Sequence, residues 1–207
     1  MATATVTGLE SVIIRKTVRR IPRASLLLSL AALIIHLTNG LRAGLLYERT
    51  ALAGLELWRV VTCHWVHLNW DHLLWSGATF LCLGVVCEIL DRKRTYQTLA
   101  IAALLIPVTI WWVQPDLYVY GGLSGLDCAL YALLFTLLIK REIKNGSRMW
   151  AGFYAVGLVA LLAKVTYETS TGQTIFVANT HSGMIPVPLS HLAGGFAGFI
   201  VGVRKAK

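Results

Sequence analysis

The 207-residue chain is 56% hydrophobic and only 14% charged, with a mean hydropathy of +0.65. Water-soluble domains carry about 25% charged residues, so this composition excludes a soluble domain and specifies an integral membrane protein. The formal charge of +9 is not read as nucleic-acid binding, because basic residues in a membrane protein first report topology. The four cysteines, Cys63, Cys82, Cys87 and Cys128, form no CxxC pair and lie mostly within or next to apolar runs. They read as small apolar residues, not as disulfides or a zinc site.

The chain opens with a basic arm, residues 1–23, carrying Arg15, Lys16, Arg19, Arg20 and Arg23. No cleavable signal peptide is expected, since the first apolar run begins only after Pro22 and lacks a small-residue cleavage site. That run covers residues 24–46, and a polar, aromatic connection, residues 47–70, follows it. Further apolar runs lie at about 71–90, 98–113, 122–139, 150–164 and 186–203. A spanning helix needs about 20 residues, within a range of about 17–25, so six spans are predicted, the third and fifth short. No repeat, low-complexity tract or soluble module interrupts them. Residues 24–203 therefore read as one all-α, polytopic membrane domain, with a short basic tail at 204–207.

Orientation follows from lysine and arginine placement. Besides the arm, Arg92, Lys93 and Arg94 fall in the turn at 91–97, Lys140, Arg141, Lys144 and Arg148 in the next, and Arg204, Lys205 and Lys207 in the tail. With six spans, fifteen of the 19 basic residues lie on one side; the other side keeps Arg42, Arg49, Arg59 and Lys164. Both termini are predicted to be cytoplasmic.

Spans two, four and six then run from outside to inside, and each carries polar groups near its outer end. Span two opens with Asp71-His72, span four with Gly122-Leu123-Ser124-Gly125, and span six with Pro186-Val187-Pro188-Leu189-Ser190-His191. Glycines 121, 122 and 125 cost helix stability and permit close packing, so a hydroxyl set among them calls for an explanation. Polar groups inside a membrane are costly and usually functional. A serine becomes a nucleophile when an imidazole takes its proton, and such a pair is recognised by geometry rather than chain order. Ser124 and His191 form the candidate pair. Gly194, Gly198 and Gly202 share a stripe with His191, which allows span six to press on span four.

Gly122-Leu123-Ser124-Gly125 together with His191-Leu192-Ala193-Gly194 resembles the rhomboid family of intramembrane serine proteases. The likeness extends to Trp58-Arg59, Thr62, His67, His72, Gly84 and Glu88 and covers about residues 25–203. The run from Thr62 to Leu73 is most similar to the rhombosortase subgroup. The resemblance implies a six-transmembrane-helix, rhomboid-like bundle in a bacterial inner (plasma) membrane. It implies a serine endopeptidase with Ser124 as nucleophile and His191 as general base, and no cofactor or metal. Substrates would be transmembrane proteins cleaved near the outer face, including those with a C-terminal Gly-Gly, an apolar helix and a basic tail. His72 would hold the oxyanion beside the Ser124 backbone N–H, which a helix start leaves free. Trp58 and Arg59 would shape the surface loop, and Glu88 would pin the inner end of span two.

Two positions depart from the family pattern. Ser76 stands where an asparagine is common, as a shorter and weaker oxyanion donor. Cys128 stands where an aromatic or histidine supports the base. Asp127, about one turn below Ser124, either orients His191 or bonds another helix. Two further readings share these residues: an inactive rhomboid-like binder of transmembrane helices, and a metal or haem binder using His64, His67, His72 and His191. The second lacks the cysteine or carboxylate that would complete a tetrahedral site.

Overall fold

The computed structural model describes residues 21–38, 40–175 and 186–205. In chain order these form α1 (Arg23–Leu37), the short α2 (Leu41–Leu45), β1 (Tyr47–Glu48), α3 (Arg49–Ala53), α4 (Arg59–Thr62), a 3-10 turn (Cys63–Trp65), α5 (Trp70–Val113), β2 (Val119–Tyr120), α6 (Ser124–Lys144), α7 (Arg148–Thr171) and α8 (Pro188–Val203). Arg15, Lys16, Arg19, Arg20 and Lys207 of the predicted basic arm and tail lie outside the described residues. Among the described residues, α5 and α7 are long and apolar enough to cross a membrane, and α1 and α8 are shorter apolar helices.

Helix α6 is apolar around its circumference, as a helix surrounded by others must be. Its residues Gly125 through Leu130, with Ala132, Leu133 and Thr136, are buried, and α5, α7 and α8 pack around it. The closest approach is that of α8. A Cβ added at Gly194 would fall on the Gly125 carbonyl, and one at Gly198 on the Ala129 carbonyl. The stripe of small residues foreseen on the sixth run is therefore the contact surface with α6, and the two backbones meet without intervening side chains. Helix α1 is tied to α5 through Glu88, which is fully buried. One of its oxygens accepts from the Ser25 N–H and hydroxyl, both at 2.6 Å, and the other from the Tyr96 hydroxyl at 3.1 Å.

The helix limits depart from the sequence reading in three places. The first run does not continue to residue 46. Helix α1 stops at Leu37, Gly40 takes a left-handed conformation (φ +94°), and α2 follows as a separate piece. The turn expected at 91–97 is a bend at a single residue, Asp91 (φ −152°, ψ 85°), inside α5. Its side chain accepts from the Arg94 N–H at 3.1 Å and pairs with the Arg94 guanidinium at 3.4 Å, so it caps the limb that follows. The fifth run ends not at Lys164 but at Thr171, and Lys164 and Glu168 bond each other along one face of this added length at 2.7 Å.

The connection between α1 and α5 is built as a scaffold for the start of α6. Buried Arg59 donates to the carbonyls of Ala43 and Leu46, both at 2.7 Å, and to Glu56 at 2.6 Å. Trp58 donates to the Gly44 carbonyl, and Thr62 to that of Leu45. Strand β1 pairs antiparallel with β2, setting Tyr47 opposite Tyr120. Arg49 binds the carbonyls of Ile110, Trp111 and Gln114 at the end of α5 and lies 4.5 Å from the Trp111 ring. It thereby satisfies groups that a helix C-terminus leaves open. The Gly122 N–H donates to the Cys63 carbonyl at 3.1 Å, and the Leu123 N–H to His67 Nε2 at 3.3 Å. Gly122 itself has φ +118°, a conformation that favours glycine.

Two predictions follow from this packing. Gly198→Ala should lower stability in detergent by about 1–3 kcal/mol, the usual cost of overpacking. Gly152→Ala, on the open face of α7 with nothing within 4 Å of an added Cβ, should be neutral or stabilising; equal thermal shifts in both variants would refute the tight contact. The loop histidines add a pH dependence. Burial pushes the His64 imidazole down to about 4, and burial with the neighbouring His72 pushes His67 down to about 3. Both stay neutral when folded and take up protons near 6.5 when unfolded, so stability holds above about pH 6.5 and falls as pH drops toward 3. His67→Gln, which can still accept from Leu123, should flatten this fall in thermal melts; an unchanged slope would show that His67 does not contribute.

Candidate active site

Ser124 is the first residue of α6 and His191 lies in the first turn of α8. Neighbouring backbone holds the two helix starts together: a Cβ at Gly125 would lie 3.1 Å from the Ser190 carbonyl, and Gly194 sits on the Gly125 carbonyl. The first hydrogen bond within α6 runs from the Asp127 N–H to the Leu123 carbonyl. The N–H groups of Ser124, Gly125 and Leu126 are thus the open donors of a helix N-terminus. Ser124 is half-buried, and among the described residues no hydrogen bond joins it to His191.

His72 lies in the first turn of α5, where Asn69 caps its N–H at 2.7 Å. Its ring packs against the Cα of Gly122: an added Cβ there would meet Nε2 at 2.7 Å. The chain bends through Gly122 without a side chain because the imidazole occupies that space. His72 Nδ1 is buried without a partner among the described residues. His72, Gly122, Ser124 and His191 therefore gather at one end of the bundle.

Ser76 and Asp127 are arranged otherwise than that reading offered. The Ser76 hydroxyl donates to Asp127 Oδ2 at 2.6 Å, so its proton is committed to a carboxylate and is not available as an oxyanion donor. Asp127 bonds helix α5 through this contact and does not orient His191. The carboxylate that holds His191 is Glu168, whose Oε2 lies 2.7 Å from Nδ1. Lys164 Nζ lies 2.7 Å from the other Glu168 oxygen and 3.2 Å from His191 Nδ1. The sequence reading missed Glu168 because it ended the fifth span at Lys164. The available signal was a lysine and a glutamate four residues apart, which a helix places on one face.

The other loop histidines serve the backbone. His64 Nε2 donates to the Ala103 carbonyl at 3.0 Å, and His67 takes the Leu123 N–H. Through these nitrogens the two rings hold loop backbone. The four cysteines are free thiols.

The arrangement provides a hydroxyl at a helix start, an imidazole with an anchored Nδ1, and open backbone donors beside them. These are the parts of serine-type acyl transfer. The family model described as Rhomboid domain matches residues 54–207, a region that holds all these groups. No curated protein sequence matches the chain. Rhomboid proteins are generally intramembrane serine proteases acting on transmembrane substrates within the bilayer, and the apolar helices here fit that setting. With a match over well more than half its length, the chain belongs to the rhomboid family.

Proposed function

We propose that the protein is an intramembrane serine endopeptidase using Ser124 as nucleophile and His191 as general base. The observation that carries this reading is the backbone contact of Gly194 with Gly125, which brings the starts of α6 and α8 together. In the acylation step Ser124 Oγ attacks the scissile carbonyl carbon and its proton passes to His191 Nε2. The oxyanion is received by the open N–H groups at the start of α6 and by a ring N–H of His72. Collapse breaks the C–N bond, and the proton on Nε2 goes to the leaving amine. Water then attacks the acyl-enzyme with His191 again as base, releasing the carboxylate and restoring Ser124. Neutral His72 can donate one hydrogen bond without adding a charge.

Six membrane crossings, cytoplasmic termini and a bacterial inner membrane complete the reading. The crossings and orientation are supported by the basic-residue bias and the six long helical limbs that the bend at Asp91 creates, and the bacterial membrane by the resemblance to rhombosortases alone. The active end then faces outward, where water can reach it. The similarity of residues 62–73 to rhombosortases supports a substrate class with a C-terminal Gly-Gly, an apolar helix and a basic tail. Such a substrate would unwind near its small residues, which are poor helix formers.

Catalysis is tested with a fluorophosphonate probe and a transmembrane substrate. Ser124→Ala and His191→Ala should each abolish labelling and cleavage without loss of fold, and the double variant should be no worse, because the two act as a unit. Near-normal turnover in either single variant overturns the assignment, and a folded, unreactive wild-type protein supports a helix-binding role instead. His72→Ala should slow cleavage by roughly 100- to 1,000-fold while slow labelling survives; full loss of labelling would place His72 on the nucleophile. For topology, reporter fusions at Tyr118 and Thr174 should both read as external, and a cytoplasmic signal at either refutes the six-span arrangement.

A further inference from the structure

Glu168 is 2% exposed and sits in the last turn of α7, against the first turn of α8. Burying a carboxylate costs several kcal/mol unless its oxygens are bonded, and here each oxygen takes one partner at 2.7 Å: Lys164 on Oε1, His191 on Oε2. The pair does little for α7 alone. Lysine preceding glutamate by four residues is the less favourable order on a helix. What the pair does achieve is a fixed anchor for one nitrogen of His191.

We propose that Glu168 is the positioning residue of a Glu168–His191–Ser124 triad, with Lys164 bonded to its second oxygen. The proposal rests on the reading of Ser124 and His191 as nucleophile and base. An imidazole has two neutral tautomers. With the proton on Nδ1, it donates to Glu168 and leaves a lone pair on Nε2 for the serine proton. With the proton on Nε2, Nδ1 would accept from Lys164 and no base would remain for Ser124. The carboxylate contact at 2.7 Å is shorter than the ammonium contact at 3.2 Å, and charge-assisted bonds of that length are the stronger ones. Glu168 therefore selects the productive tautomer. It also stabilises the imidazolium that forms when Nε2 takes the proton. Lys164 works in the opposite sense on that imidazolium, so the two residues together set the proton affinity of the base.

The pair takes up the place left by Cys128, which cannot stack on an imidazole. Among the described residues, the charged and titratable groups that act on or feel His191 are Glu168 and Lys164 on α7 and His72 on α5, while Asp127 and Cys128 on α6 lie within the field of Lys164. Of these, Glu168 and Lys164 alone lie within hydrogen-bond distance of its ring among the described residues. A purely structural tie between α7 and α8 would predict loss of stability on breaking the pair, with no effect on the pH dependence of chemistry.

The test measures the rate of fluorophosphonate labelling at Ser124 as a function of pH, in full-length protein in detergent. Glu168→Gln should slow labelling by about 100-fold or more, since loss of the triad acid in serine proteases costs up to about 10⁴-fold. Its acid limb should move to lower pH, because an anion beside the base is gone. Glu168→Asp, which keeps the anion, should recover part of the rate. Lys164→Met should move the acid limb to higher pH, because a cation is gone; this opposite shift is independent of any folding loss in Glu168→Gln. Unchanged rate and pH profile in Glu168→Gln, while Ser124→Ala and His191→Ala are dead, overturns the triad and leaves the Ser–His pair standing. Shifts of the same sign in Glu168→Gln and Lys164→Met also overturn it. No Ser124-dependent labelling in the wild-type protein overturns the protease reading and the triad with it.

Discussion

The close backbone contact between α8 and α6 is the constraint on which the rest depends. Between membrane-embedded helices there is little hydrophobic driving force, since lipid is as apolar as leucine; close packing of small residues supplies the attraction instead. Gly194 and Gly198 remove every side chain between the two backbones. The register of that contact fixes where residue 191 falls relative to residue 124. A helix pair held apart by leucines would keep the same sequence motifs and lose their meeting. The central position of α6 follows from the same need, because a helix that must be approached so closely on one side is sheltered best when others cover its remaining faces.

Around that contact, carboxyl groups bond polar partners on neighbouring helices. Glu88 with Ser25 and Tyr96 fastens α1 to α5. Ser76 with Asp127 fastens α5 to α6, and Glu168 with Lys164 and His191 fastens α7 to α8. Each carboxylate joins helices that apolar packing alone would leave free to rotate. Unpaired, any of them would be expensive in a medium without water. Helix α7 illustrates the point: its described residues are mostly exposed, and only Ala151, Val165 and Glu168 are buried. Its last turn is tied to α8 by charge.

The apolar runs and the Ser124 and His191 motifs were legible in the sequence because hydropathy and short motifs are local properties. The helix ends were less so. Lys164 looks like the edge of a span when read as a charge, and becomes part of a helix only once Glu168 answers it one turn later. Asp91 among Arg92, Lys93 and Arg94 looks like an open turn, yet one capping carboxylate bends α5 in a single residue. The spacing of Lys164 and Glu168 hinted at a shared helix face, but not at His191 as their common partner. Asp127 was nearer in the chain to the nucleophile, and only the packing of α5 on α6 shows that Ser76 occupies it. Glu168 depends on how α7 and α8 meet, which no local pattern encodes.

The surface loop carries a consequence for assembly. The backbone preceding Ser124 is held by residues distant in sequence: Arg49 reaches Leu117 and Tyr118, Cys63 receives Gly122, and His67 receives Leu123. Contacts across such separations form late, since long loops must close before they are rewarded. The helices can enter the bilayer one after another while the turn that presents the hydroxyl is still unplaced. In a partly assembled chain Ser124 is then not yet set beside the start of α8, and the site takes shape only with the finished fold. If Ser124 acts as proposed above, the loop is in effect a safety catch built from backbone hydrogen bonds.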